Sequence, residues 1–293
     1  MAKPRVIVKR RKSVRNIRKI TRTMQLIATA RFQAAVGRAA ATRPYTQKLA
    51  ELVGDLASVV TDIRHPLMQT HEKVKRSALV AITSNRGFCG GYNSSVLRAA
   101  IAQIERDQSR GVAPDVYMVG KKGVRYFRFL RRPMAEQITH FGDKPRFADI
   151  EVLANTLMGR FISGELTSVQ VAYMRFISAG KQASTVVQLL PIVREAATGP
   201  QAGSGPADVL YEFSPEPKEL LAELLPATVR VRLFQCFIEA AASEQIARMA
   251  AMKAATEAAA DMIKALTRQY NRARQTQITM ELLDIVGGAN ALE

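Results

Sequence analysis

Apolar positions in the first sixty residues recur at steps of three and four. Val14, Ile17, Ile20, Met24 and Ile27 form one such stripe, which predicts a helix over residues 5–63. Arg11, Arg15, Arg18 and Arg22 follow a second line and give the same helix a basic face. Pro44 lacks the donor that the preceding turn needs, so it is expected to kink this helix or to begin its next part, and His65-Pro66 closes the segment.

The rhythm changes at Ser77. Residues 78–83 are a short apolar run suited to a buried strand. A glycine-rich turn follows over residues 86–91, and Asn93 and Ser94 are candidate caps for a helix running through Arg106. A second unit has a strand at residues 115–119, a turn Gly120-Lys121-Lys122-Gly123 and a helix at residues 124–130. A third strand is expected at residues 137–141, a helix at 149–162 and a further strand at 169–177. Alternating strands and helices imply a small α/β domain with a largely parallel sheet. Residues 196–217 are rich in Gly, Pro, Ser and Ala and read as a connection.

After Pro226 there are sixty residues, 227–286, with neither proline nor glycine. One helix of that length would extend roughly 90 Å, far more than a small domain can cover. Met252, Ala255, Ala259, Met262, Leu266, Tyr270, Ala273, Gln277 and Met280 recur in its far half as the seam of a coiled coil, and the small residues Ala255 and Ala259 allow another helix to come close. The only other long helix is N-terminal. The expected fold class is therefore mixed α/β: a long antiparallel coiled coil of N- and C-terminal helices plus a small central α/β domain with a largely parallel sheet. The domains expected are residues 1–65, 77–215 and 219–293.

Charge sharpens this picture because of where it lies. The chain carries +18 overall, yet residues 1–50 hold fourteen Lys or Arg and no carboxylate before Glu51, leaving +4 for the rest. Three readings of that arm compete: nucleic-acid binding, organelle targeting, or a helix for an acidic protein surface. Phe32 and Tyr45 are the only aromatics in the segment, fewer than a nucleic-acid reader would interleave, so the acidic protein surface fits better. A basic coiled-coil nucleic-acid-binding protein is the alternative. Cys89 and Cys236 sit in unrelated contexts and suggest a reducing compartment rather than a disulfide framework. No run of eighteen apolar residues occurs and the N-terminus has no apolar signal core, so neither membrane insertion nor secretion is expected.

Catalytic chemistry is hard to find. The loop at residues 86–91 and the turn Gly120-Lys121-Lys122-Gly123 stand where phosphate cradles occur, but neither has the spacing of a P-loop or a dinucleotide fingerprint, and tight turns are the expectation. His65, His71 and His140 are scattered, with no metal-ligand spacing. No catalytic residue, cofactor site or metal site is expected.

Three segments then converge on one family. Lys12-Ser13-Val14-Arg15-Asn16 with Lys19-Ile20-Thr21, Met24 and Arg43-Pro44-Tyr45 make the first, and Thr83-Ser84-Asn85-Arg86-Gly87-Phe88-Cys89-Gly90-Gly91 with Asn93 the second. Ser243-Glu244-Gln245, Ala247-Arg248-Met249, Tyr270-Asn271-Arg272-Ala273-Arg274-Gln275, Ile278-Thr279 and Ile285-Val286-Gly287-Gly288 complete the set. Together they resemble the gamma subunit of F-type ATP synthases over essentially the whole chain. The resemblance implies a non-catalytic central rotor that couples ion-driven rotation of a c-ring to ATP synthesis at the beta subunits. The implied partners are the alpha and beta subunits of the catalytic hexamer, the epsilon subunit and the c-ring, with no nucleic acid and no membrane insertion. The implied location is peripheral, on the cytoplasmic side of a bacterial inner membrane. Residue by residue, Met24, Arg274, Gln275 and Thr279 match positions that touch the beta and alpha subunits, and Tyr211 and Phe213 match an aromatic pair near the c-ring and epsilon. Arg11 departs from the pattern, since the family usually has an apolar residue there, and Lys253 stands where many members carry aspartate.

Overall fold

The computed structural model describes residues 4–59, 65–69, 75–142, 144–192 and 217–290, and they form two compact units. One comprises residues 1–30 and 248–293, the other residues 31–247. The division cuts through the two longest helices, α1 (Pro4–Val59) and α5 (Pro217–Asn290).

The larger unit is built on a sheet of β1 (Arg76–Ile82), β2 (Ala113–Val119), β3 (Glu136–Ile138), β4 (Ser168–Ser178) and β5 (Lys181–Leu190), in the order β3-β2-β1-β4-β5. β1, β2, β3 and β4 are mutually parallel, and β5 runs antiparallel to β4. Strand β1 lies at the centre, and every residue after Arg76 is buried. Its alternate side chains enter two separate cores, as a strand covered on both faces requires. Ala78, Val80 and Ile82 join Ile150, Leu157 and Phe161 of α4 (Phe147–Ile162) and Leu225, Val229 and Phe237 of α5. Leu79 and Ala81 face α2 (Tyr92–Ser109) and α3 (Lys121–Phe129) through Leu97, Ala100, Val124 and Phe127. Beyond residue 30, α1 sets Phe32 edge-on against Phe176, with ring centroids 5.8 Å apart.

Two prolines lie inside helices. α1 continues past Pro44, and α5 starts at Pro217, so Pro226 lies inside it rather than ahead of it as expected. The flanking Leu225 and Val229 are each about 1% exposed against the sheet, and this packing holds the helix where the missing donor would otherwise release it. The antiparallel edge strand β5 was not anticipated. The glycine turn of residues 120–123 is instead the first turn of α3. Helix α2 is preceded by Gly91 and does not take Asn93 or Ser94 as its cap. The Asn93 amide bonds back to Ser84, and the Ser94 hydroxyl donates to the Gly91 carbonyl.

An ionic knot closes the amino-terminal edge of the sheet. Asp115 accepts from Arg76 Nη2 at 2.9 Å and from Arg160 Nη2 at 2.8 Å, while Arg160 Nε donates to Glu165 at 2.9 Å. Burial pushes the Asp115 carboxyl up, but hydrogen bonds from Arg160 and Arg76 outweigh it and hold the group below the ordinary aspartate value. A depressed carboxyl contributes stability that is complete above its unfolded pKa, about 3.9, and that is lost as pH falls through the lower folded value. Thermal midpoints of the full chain should therefore decline below about pH 4, and less steeply in Asp115→Asn. Calorimetry across that window with parallel acid limbs would refute the assignment.

Candidate functional site

In doubly wound sheets a ligand normally sits outside the carboxyl ends of the strands, where the strand order reverses. Here the reversal lies between β1 and β4, and the space beside them is occupied. Cys89, Tyr92, Val96 and Met174 are buried as one cluster with Ala247 packed against them. The loop after β1 is closed by its own polar groups. Ser84 N–H donates to Asn93 Oδ1 at 2.9 Å, the Ser84 hydroxyl donates to the Arg86 carbonyl at 2.6 Å, and the Asn93 amide reaches Cys89 Sγ at 3.2 Å. Phe88 holds the left-handed φ of 63° within this loop.

The neighbouring candidate cradle is spent in a different way. A helix N-terminus binds phosphate through unsatisfied N–H groups. At the start of α3 the N–H of Lys121 is taken by Asn85 Oδ1 at 3.0 Å, that of Lys122 by the Ser84 carbonyl at 3.1 Å and that of Gly123 by Thr83 Oγ1 at 3.0 Å. The first three amides of α3 are thus committed within the fold. His65 accepts from Leu67 N–H and is lowered in pKa by burial, while His140 stacks edge-on with Phe141. His71 lies outside the described residues.

The smaller unit presents the faces of a helix pair. Its two helices run antiparallel, as the hydrogen bond from Thr256 Oγ1 to Thr21 Oγ1 (2.8 Å) and the seating of Arg11 over the Tyr270 ring (5.2 Å) establish. The buried line on α1 is Ile7, Val14, Thr21 and Ala28, spaced by seven; on α5 it is Met252, Ala259 and Leu266. Val14 alone of the anticipated α1 stripe is buried. Ile17, Ile20, Met24 and Ile27 stand outside the seam with between a third and three-fifths of their surface exposed, because Thr21 and Ala28 occupy the inward line. On α5, Ile263 takes the place expected for the exposed Met262, and Gln277 and Met280 lie beyond the seam's end.

Arg11 also leaves its expected face. It is half-buried on the seam, where its guanidinium covers Tyr270. A cation over an aromatic ring lets a charged residue fill a position that an apolar one would ordinarily take. Arg15, Arg18 and Arg22 remain together and, with Lys19, Thr256 and Ile263, line a basic groove along the helix pair. Residues 277–287 of α5 are exposed all round, and Ile278, Met280, Leu282, Leu283, Ile285 and Val286 make an uncovered apolar tip. Arg274, Gln275 and Thr279 are exposed at its base, Thr279 Oγ1 donating to the Gln275 carbonyl at 3.0 Å. Met24 is not brought near them, because Arg274 lies eighteen residues, roughly 27 Å of helix, past Thr256. Tyr211 and Phe213 lie outside the described residues.

Comparison with known proteins decides what such surfaces belong to. The family model described as ATP synthase matches residues 3–292. An ATP synthase gamma chain of Rhodopirellula baltica is 44% identical over 297 aligned residues, covering 100% of both chains, and one from Leptospira biflexa is 42% identical with the same coverage. The chain belongs to the ATP synthase gamma family. Solved structures agree in fold at low identity. A chain of the Euglena gracilis mitochondrial ATP synthase superposes with a TM-score of 0.67 at 19% identity, covering 99% of this chain and 94% of that one. A chain from the Tetrahymena thermophila central stalk and c-ring gives 0.57 at 19% identity, covering 80% and 99%. These gamma-family relatives give the nucleic-acid alternative no support. In this gamma-family chain the exposed stripe and tip are surfaces of a subunit of a membrane-associated complex, and among the described residues no helix is long and apolar enough to cross a membrane.

Proposed function

We propose that the helix pair is the shaft of the rotor, turning inside a sleeve formed by alpha and beta subunits, and that the chain itself performs no catalysis. The observation that carries this reading is the outward set of Ile17, Ile20, Met24 and Ile27 together with Ile278, Met280, Leu282, Leu283, Ile285 and Val286 of the tip, all apolar and all exposed in the chain alone. An apolar face of that extent needs a partner. The basic groove beside it follows acidic loops through Coulomb attraction, which is softer and longer-ranged than interlocked side chains and so permits sliding. Torque then arises from differential binding: each shaft angle favours a different set of beta-subunit conformations. On this reading Met24, Arg274, Gln275 and Thr279 meet the hexamer, and Tyr211 and Phe213 lie toward the c-ring and epsilon. The same reading puts the complex on the cytoplasmic face of a bacterial inner membrane, in keeping with its bacterial relatives.

Reconstitution tests the sleeve. Mixed with alpha and beta subunits, the chain should enter a complex of one copy to three and three, measured by native mass spectrometry. Alpha and beta hexamers that leave the chain free would end the proposal.

A further inference from the structure

Helix α3 carries a surface that neither the shaft nor the sheet uses. Val124 and Phe127 turn inward to the sheet, and Lys121, Arg125 and Phe129 succeed one another at four-residue steps on the outside. Phe129 is 80% exposed, with Tyr126 and Leu130 beside it also exposed. Lys121, Lys122, Arg125, Arg128, Arg131 and Arg132 fall within twelve residues, and there is no carboxylate between Asp115 and Glu136. Arg128 is committed to Gln137 and Arg132 to Glu105, while Lys121, Arg125 and Arg131 have no carboxylate partner among the described residues.

We propose that this face is a peripheral contact for an anionic phospholipid surface, with Tyr126 and Phe129 at headgroup level and Lys121, Arg125 and Arg131 around them. The pairing of unpaired cations with exposed aromatics selects a partner that is both anionic and apolar just beneath its charge. A phospholipid layer has this order of chemistry, and aromatic and basic side chains concentrate at its interface. The form of the surface favours lipid over an acidic polypeptide. Phe129 projects from the convex side of a helix, where a polypeptide would find no groove to enter, whereas a fluid headgroup layer needs no matching wall. The contact adds a second attachment to the membrane-associated complex and does not depend on the shaft reading.

The chain contains no tryptophan, so Phe129→Trp creates a single indole at the centre of the patch. Titrated with vesicles of phosphatidylcholine containing about a third phosphatidylglycerol, the full-length variant should show a blue-shifted emission that salt reverses and that pure phosphatidylcholine does not produce. Adding Arg125→Gln and Arg131→Gln should raise the lipid needed for half the shift about tenfold or more. Sedimentation alone is insufficient, because the acid-free first fifty residues will also draw the chain to anionic vesicles. An indole that stays unshifted while the chain sediments overturns the proposal. So does an equal shift with polyglutamate, which would assign the face to an acidic protein. Tyr126→Trp is the second reporter should Phe129→Trp misfold by circular dichroism.

Discussion

Alanine at Gly120 should destabilise the α/β unit by about 3–5 kcal/mol, enough to unfold a domain of ordinary stability near physiological temperature. Gly120 has φ 94°, a conformation costly to any residue with a Cβ, and an added Cβ would lie 2.3 Å from the Thr83 carbonyl oxygen. Neither neighbour is free to retreat. Thr83 N–H is bonded to the Val119 carbonyl at 2.9 Å and Gly120 N–H to the Ile138 carbonyl at 2.8 Å, so relief on one side breaks the ends of three parallel strands. Gly159 is the control. It lies within α4 with nothing inside 4 Å of where a Cβ would stand, and Gly159→Ala should be neutral or stabilising by up to about 1 kcal/mol. Urea unfolding followed by circular dichroism measures both, and equal midpoints for Gly120→Ala and the parent chain would sink the argument.

The double variant Arg274→Ala, Gln275→Ala should leave the fold intact and depress coupled ATP synthesis by roughly tenfold or more. Both side chains are exposed on α5, and Arg274 has no carboxylate partner among the described residues, so their removal costs the isolated chain almost nothing. Arginine held against a partner surface contributes through several directed hydrogen bonds that alanine cannot replace. Synthesis driven by an ion gradient in membrane vesicles is the measurement, alongside the amount of assembled complex. Unchanged synthesis refutes the gripping role, and lost assembly moves these residues from coupling to attachment.

The sheet's parallel core was legible because its strands are short apolar runs between glycine-rich turns, as at residues 78–83. Strand β5 was not. Its exposure varies from residue to residue, only Leu189 and Leu190 are buried, and nothing in Lys181–Leu190 resembles a strand covered on both faces. The helix seam was misread for a related reason. Periodicity finds apolar lines without saying which way they face, and an exposed partner surface satisfies the same spacing as a buried one. The signal that would have separated them is the seven-residue spacing of Ile7, Val14, Thr21 and Ala28, half of it polar or small. Arg274, Gln275 and Thr279 came from motif resemblance rather than pattern, and no hydropathy argument would have chosen three polar residues on a helix's open side.

The same seven-residue spacing has a mechanical corollary. A strict heptad forces two helices to wrap around each other with a left hand, since a straight helix would drift off the seam by about 20° each repeat. Such a rope is not neutral toward twist. Turning its ends one way winds the strands tighter, and turning them the other way opens the lay. The two senses of rotation therefore act differently on the seam that Thr21 and Thr256 join.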